Sequence, residues 1–474
     1  MPGYARNEIV RNGQIGIYHT WSRCVQKAFL CGRDPETNVD FDYRRDWIKS
    51  LLEYQASVFA VDLGNYSILS NHQHLIARTR PDIAAKWTDE EVAWRWKLAW
   101  PAWKEGKWVR EPTDEEIEKE LARPERLLKL RANLSSLSWF MARWKEPIAR
   151  LANAEMDRRG HFYEQRFGSR EIMDDAANLC CNIYVDMNQI KAGMATRLED
   201  CRCSAIQDRL KAWRQEQAQA SLEAFNAKGQ TGFALEVEQI EQLLADCFLA
   251  PIGDQGPPPL DRASIPSIVS TTPSVSDTLA PATESLLATS PNESSKQEIA
   301  DSLPAEPVEE PSAVSSDSAD PNASPVSANA AGIPATPPAV VPQQTAGRRR
   351  GRPARSRPVP TRKIHERLRS RRRKRASDNV YLGIPKSQYL ELVSWTAENW
   401  LASQSDSGSS TSRPPPDSVA TILQQWGIAP AFWCEAIAKF DSWFRRAVGH
   451  ADRLKERSKN HWLQGIRRCR QVYT

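Results

Sequence analysis

The stretch ILSNHQHLIART, residues 68–79, holds two of the chain's seven histidines, His72 and His74, with one residue between them. Apolar residues flank the pair, so the segment reads as a strand. Alternate residues of a strand project from one face. His72 and His74 then point the same way, with Gln73 on the other side. Two imidazoles so placed can grip one divalent ion. The plainer alternative is a pair of surface histidines on an edge strand. A second set lies in CNIYVDMNQ, residues 181–189. There Tyr184 and Asn188 stand one helical turn apart and share a face. An amide oxygen one turn from a phenol can be a third metal ligand, and the phenol can be a nucleophile. The plainer alternative is an amphipathic helix with a satisfied core tyrosine. Tyr163, in GHFYEQRF, is a rival nucleophile. His19 and His161 read as structural or DNA-facing.

These side chains need elements to hold them. QIGIYHTWSR (14–23) alternates and carries Ile, Tyr and Trp, which predicts a strand. DFDYRRDWIKSLLEYQASVF (40–59) has helical spacing, with Trp47, Leu51 and Leu52 on one side. FAVDLGNYSILSNHQHLIART gives strand character around a bend near Gly64 and Asn65. A Trp-rich, charged stretch from Asp89 to Arg158 reads as helical, broken at Pro101 and Gly106. DDAANLCCNIYVDMNQIKAG reads as one helix, started by Asp174 and Asp175 and ended by Gly193.

The 474 residues allow two or three domains, with 17 Trp to fill cores. No window approaches 18 uncharged apolar residues, so no membrane span is expected. The start, MPGYARNEIVRNG, lacks the apolar run of a secretory signal. Nine scattered cysteines, an odd number, argue for reduced thiols rather than a disulfide framework. Cys201 and Cys203 lack a second pair to complete a zinc site. The net charge is only +5, and the positive excess is concentrated. Residues 347–377 hold 15 basic residues against one acidic, the density of a nucleic-acid arm. Within them RRRGRP looks like an AT-hook core, in which Arg350 and Arg352 would lie in a narrow A·T minor groove. Arg348, Arg349 and Arg355 belong to the same DNA-binding run, and generic phosphate binding is the looser reading. Residues 251–346 are dominated by Pro, Ser, Ala and Thr without an aromatic, and read as a disordered linker. Residues 1–250 read as one globular domain and 378–474 as a helical C-terminal domain.

Four segments occur in a telling order: YHTWSR, LSNHQHLI, GHFYEQRF and IYVDMNQIKAGMA. Together they resemble the REP-associated tyrosine transposases, a branch of the single-tyrosine HUH transposases. In that family the first histidine element resembles MPNHVHLL and the tyrosine helix resembles YIHLNPVRAGLV. The likeness covers roughly residues 12–200. It implies an α+β fold, a ferredoxin-like HUH domain with an antiparallel sheet flanked by helices. It also implies that Tyr184 is the catalytic tyrosine and that His72, His74 and Asn188 hold the metal. Two positions depart from the pattern: Gln73 stands where an apolar residue is usual, and Gln189 where a proline is. About 110 residues separate the histidines from Tyr184, and the excess reads as a helical insertion at about 85–158.

The implied activity is metal-dependent nicking and strand transfer on single-stranded or hairpin DNA through a 5′-phosphotyrosine. Mg²⁺ or Mn²⁺ suits a His, His, Asn set with open positions. A phenol with a pKa of about 10 needs activation, from the ion or from a nearby cation. Lys191, on the same helix, could stabilise phenolate or contact DNA, or simply be a last-turn cation. Relatives work as dimers or monomers, so a homodimer is one expected state, in the bacterial cytoplasm near the nucleoid. Two other classes stay open: a non-catalytic DNA-binding protein derived from a transposase, and another HUH endonuclease such as a replication initiator or relaxase.

Overall fold

A computed structural model describes residues 9–25, 29–226, 244–253, 374–405 and 413–459. All of them fall in one compact unit. The linker from 254 on and Arg348, Arg349, Arg350, Arg352 and Arg355 of the basic arm lie outside the described residues, as does NHWLQGIRRCRQVY near the C-terminus.

In chain order come β1 (Gly16–Arg23), α1 (Arg44–Ala56), β2 (Val61–Ile68) and β3 (His72–Thr79). A long excursion follows: α2 (Pro81–Lys86), α3 (Asp89–Leu98), β4 (Ala102–Lys104), β5 (Lys107–Val109), α4 (Asp114–Leu121), α5 (Pro124–Leu134) and α6 (Leu137–Glu155). β6 (Gly168–Ile172) leads into α7 (Asp175–Asp186), α8 (Asn188–Lys191) and α9 (Ala205–Asn226). The C-terminal part carries α10 (Lys386–Ser405), α11 (Asp417–Gln425), α12 (Pro430–Ala438), α13 (Phe440–Trp443), β7 (Ala447–Val448) and α14 (Ala451–Lys459). The fold is α+β, with a mixed five-stranded sheet in the order β2-β3-β1-β6-β7. The first four strands are antiparallel, and β7 joins β6 in parallel. Among the described residues no helix is long and apolar enough to cross a membrane.

Period-two alternation sorts the strand residues into two cores. Tyr18, Leu75 and Ala77 face a cluster with Ile48, Leu51 and Leu52 of α1 and Phe140, Met141 and Trp144 of α6. The Trp144 indole N–H donates to the carbonyl of Ile48 at 3.0 Å, which fixes α6 against α1. Ile17, Ile76 and Ile172 face the other cluster, with Leu179 and Ile183 of α7 and Trp433, Phe440 and Phe444 of the C-terminal segment. Each Leu, Ile, Met or Phe among them, fully buried, stabilises the fold by about 1.5–3 kcal/mol.

Several expectations are corrected here. The described residues of the expected C-terminal domain, 378–405 and 413–459, do not form a domain apart, because the apolar faces of α10 to α13 cover the second face of the sheet. A buried polar clamp joins the two parts: Asp62 accepts from Arg78 at 2.8 Å and from Arg80 at 2.9 Å, and Ser377 donates to it at 2.8 Å. The insertion is not wholly helical. Trp103 pairs with Trp108 across a β4–β5 hairpin, their rings 5.0 Å apart, with Gly106 at positive φ in the turn. Its last helix, α6, is no appendage, since it fills the first core. The bend near Gly64 is a bulge inside a continuous β2, where the register shifts between Leu63 and Asn65. A Cβ at Gly64 would stand 2.2 Å from the Tyr381 ring, so the bare backbone makes room for the C-terminal segment. The helix expected to run to Gly193 divides at Met187 into α7 and α8.

Candidate functional site

In the ladder His74 lies opposite Trp21 on β1 and Ser67 on β2, and His72 lies opposite Arg23. Opposed residues and alternate residues share a face, so His19, Trp21, His72 and His74 all project toward α7. The rings of His72 and His74 are 5.2 Å apart at 79°. His19 stacks on His74 at 5.1 Å, with its Nε2 at 2.9 Å from His74 Nδ1. The Tyr184 ring meets both His19 and His74, at 5.8 Å in each case.

Local chemistry sets α7 in place. Asp174 caps its N-terminus, the side chain accepting from the Ala177 N–H at 2.8 Å. Asp186, near its end, accepts from Asn65 of β2 at 2.9 Å and from the Tyr389 hydroxyl of α10. Between these anchors, Leu179 and Ile183 are buried and turn Tyr184 to the histidine face. Just beyond, Gln189 donates to the carbonyls of Ile68 at 3.2 Å and Arg202 at 2.7 Å. That ties α8 to the end of β2, where Ile68 pairs with Gln73. Asn188 is buried there, and its Nδ2 has no hydrogen-bond partner.

Burial, more than any neighbouring charge, lowers the histidines, to about 4 for His72 and about 3 for His74. Both are therefore neutral at pH 7 and keep one nitrogen lone pair. Nδ1 of His72 bonds Oδ1 of Asn71 at 2.6 Å. The amide oxygen accepts, so the proton sits on Nδ1 and the lone pair on Nε2. His74 depends in the same way on His19. If His74 donates through Nδ1, its Nε2 is free to bind an ion; if His19 donates, it is not. His19 is fully buried and its Nδ1 has no partner.

The phenol lies in a different setting from the one expected. Its hydroxyl donates to Oδ2 of Asp441 at 2.6 Å. Oδ1 of the same carboxylate accepts from Arg170 of β6 at 2.7 Å. Phe440 stacks on the Tyr184 ring at 4.3 Å. Burial first, and then the Asp441 charge, push the phenol well above its ordinary range. Burial opposes the charge on Asp441, but Arg170 and the Tyr184 hydroxyl hold its carboxyl below the usual value. Lys191 lies over the Tyr184 ring, its Nζ at 4.7 Å from the centroid, and donates to the Ile437 carbonyl at 2.8 Å. Burial lowers its amine to about 8.

Tyr163 stands apart from this group. It bridges Cys24 beyond the end of β1, its ring meets Phe162 and Lys145, and its hydroxyl is buried without a partner. His161 is exposed. Gln73 faces the other core, where both amide atoms are buried and unpartnered. Among the described residues no three side chains of His, Cys, Asp and Glu form a group that could hold a metal ion. His72 and His74 stand side by side as a pair of nitrogen donors.

Reasoning from sequence missed Arg170, Phe440 and Asp441 and left His19 without a specific role. Strand alternation in YHTWSR puts His19 on the same face as Trp21, but no pattern marks its partner. For Asp441 the sequence holds no signal, because its role depends on the C-terminal segment folding back. Comparison of the chain with protein-family models, curated proteins and solved structures finds no match.

Proposed function

We propose that this chain is a metal-dependent nickase and strand transferase of transposase type, acting on single-stranded or hairpin DNA with Tyr184 as nucleophile. The observation that carries the reading is the meeting of Tyr184 with His74 and His19, the His72 ring beside them, from three separate segments. The connection β1-α1-β2-β3-α6-β6 and the order β2-β3-β1-β6 agree with a ferredoxin-like HUH domain.

The residues present fit Mg²⁺ or Mn²⁺. The His72 Nε2 lone pair is held free by Asn71 and His74 can present Nε2 beside it, while Asn188 enters as third ligand through the resemblance. A bound ion would draw charge from a non-bridging phosphate oxygen and favour in-line displacement. Tyr184 attacks phosphorus and keeps the bond energy as a 5′-phosphotyrosine, which a second 3′-hydroxyl can later open. The arm with Arg348, Arg349, Arg350, Arg352 and Arg355 would add salt-dependent affinity for DNA. In a test with labelled hairpin DNA and Mn²⁺, the protein should form an adduct that survives detergent, and Tyr184→Phe should form none. An adduct that persists in Tyr184→Phe would move the nucleophile to Tyr163.

One observation favours a second reading, a DNA-binding protein derived from a transposase and no longer catalytic. Tyr184 is only 3 % exposed, covered by Phe440. Wild-type protein that binds the hairpin but forms no adduct at any Mn²⁺ concentration would decide for it.

A further inference from the structure

We infer that Asp441 is the general base that takes the proton from Tyr184 as the phenol attacks phosphorus, an inference that rests on the proposed strand transfer. The Tyr184 hydroxyl already donates to Oδ2 at 2.6 Å, the geometry a proton acceptor needs before reaction. Arg170 fixes the other carboxylate oxygen at 2.7 Å, so Oδ2 is held toward the phenol. The groups facing this pair are Arg170 from β6, Lys191 from α8, His74 from β3 and His19 from β1. None of the other four is placed as an acceptor for the phenolic proton. The amine of Lys191 is committed to the Ile437 carbonyl, and His74 Nδ1 is engaged with His19.

Electrostatics argue against a standing phenolate. Burial, and then the carboxylate beside the oxygen, raise the phenol, so the proton leaves only in step with attack. As the Oη–P bond forms and the P–O3′ bond breaks, the phenolic proton passes to Oδ2. The departing 3′-oxygen takes a proton from water, and the Asp441 carboxyl returns its own to solvent. Its side chain is 62 % exposed, so that exchange is open. In the reverse direction, Tyr184 leaves phosphorus and regains its proton from the same carboxyl.

The test uses the full chain, Mn²⁺ and labelled hairpin DNA. Asp441→Asn keeps the shape and a hydrogen bond but cannot take the proton. Its adduct formation should fall by about 10²–10⁴-fold with hairpin affinity unchanged. Asp441→Ala should be equally slow and should recover as formate is added, since a free carboxylate can fill the gap. Asp441→Asn working within about threefold of wild type would overturn the inference while leaving the strand-transfer reading intact. Loss in Asp441→Asn with no formate response in Asp441→Ala would also overturn it, reducing Asp441 to a tether for α13. If wild type forms no adduct, the strand-transfer reading fails first and this base falls with it.

Discussion

Phe440 lies on Tyr184 with ring planes 15° apart and centroids 4.3 Å apart, so the C-terminal segment covers the proposed nucleophile. Phe440 is itself fully buried. Phe440→Ala should cost about 3–5 kcal/mol, read as a shift in the urea midpoint. It should also open Tyr184 to nitration, detected by mass spectrometry of the peptide that carries it. A stable variant in which Tyr184 stays protected would mean that other groups shield the phenol.

Acid should destabilise the protein through the buried histidines. Burial lowers His72 to about 4 and His74 to about 3. In the unfolded chain both titrate near 6.5. Between those values the unfolded state binds more protons, so the contribution is complete above about pH 6.5 and is lost as the pH falls toward the folded values. Urea melts between pH 7 and pH 5 should show this slope. His74→Gln should flatten it by up to about 1.4 kcal/mol per pH unit. An unchanged slope would mean that His74 is not held neutral.

Asn71 should matter to metal affinity without touching the metal. Its amide oxygen holds the His72 proton on Nδ1. Asn71→Ala should weaken Mn²⁺ binding by about 10–100-fold in calorimetry, and His74→Ala should abolish it. Equal affinity in wild type and Asn71→Ala would break the tautomer argument.

The single unit can be tested at Gly64. A side chain there meets the Tyr381 ring at 2.2 Å, and that ring is fully buried. Gly64→Ala should cost about 1–3 kcal/mol by overpacking. Thermal unfolding should still be one transition, lowered as a whole. Two separated transitions would mean that the C-terminal helices melt independently of the sheet.

Much of the local structure was legible. Period-two alternation marked β1 and β3, and helical spacing with Asp174 as cap marked α7, because these depend on neighbours in sequence. What failed were features set by distant packing. Gly64 looked like a turn residue, yet it is the gap into which Tyr381 fits. The Trp103–Trp108 hairpin hid in a charged, helix-like stretch. The C-terminal helices looked self-contained because their apolar faces do not say what they cover.

For the site itself, the sequence by itself determined that His72 and His74 share a face, a relation that follows from backbone periodicity alone, whereas the single helix expected to carry Tyr184 and Asn188 divides at Met187. Only the tertiary structure decided that the phenol meets the imidazoles, that His19 stacks on His74, and that Phe440 and Asp441 close over Tyr184 from 257 positions away in the Asp441 case. The physical reason is burial. Two faces of one sheet each need an apolar cover, and the segment that covers the second face brings a carboxylate to the phenol that no local pattern could have announced.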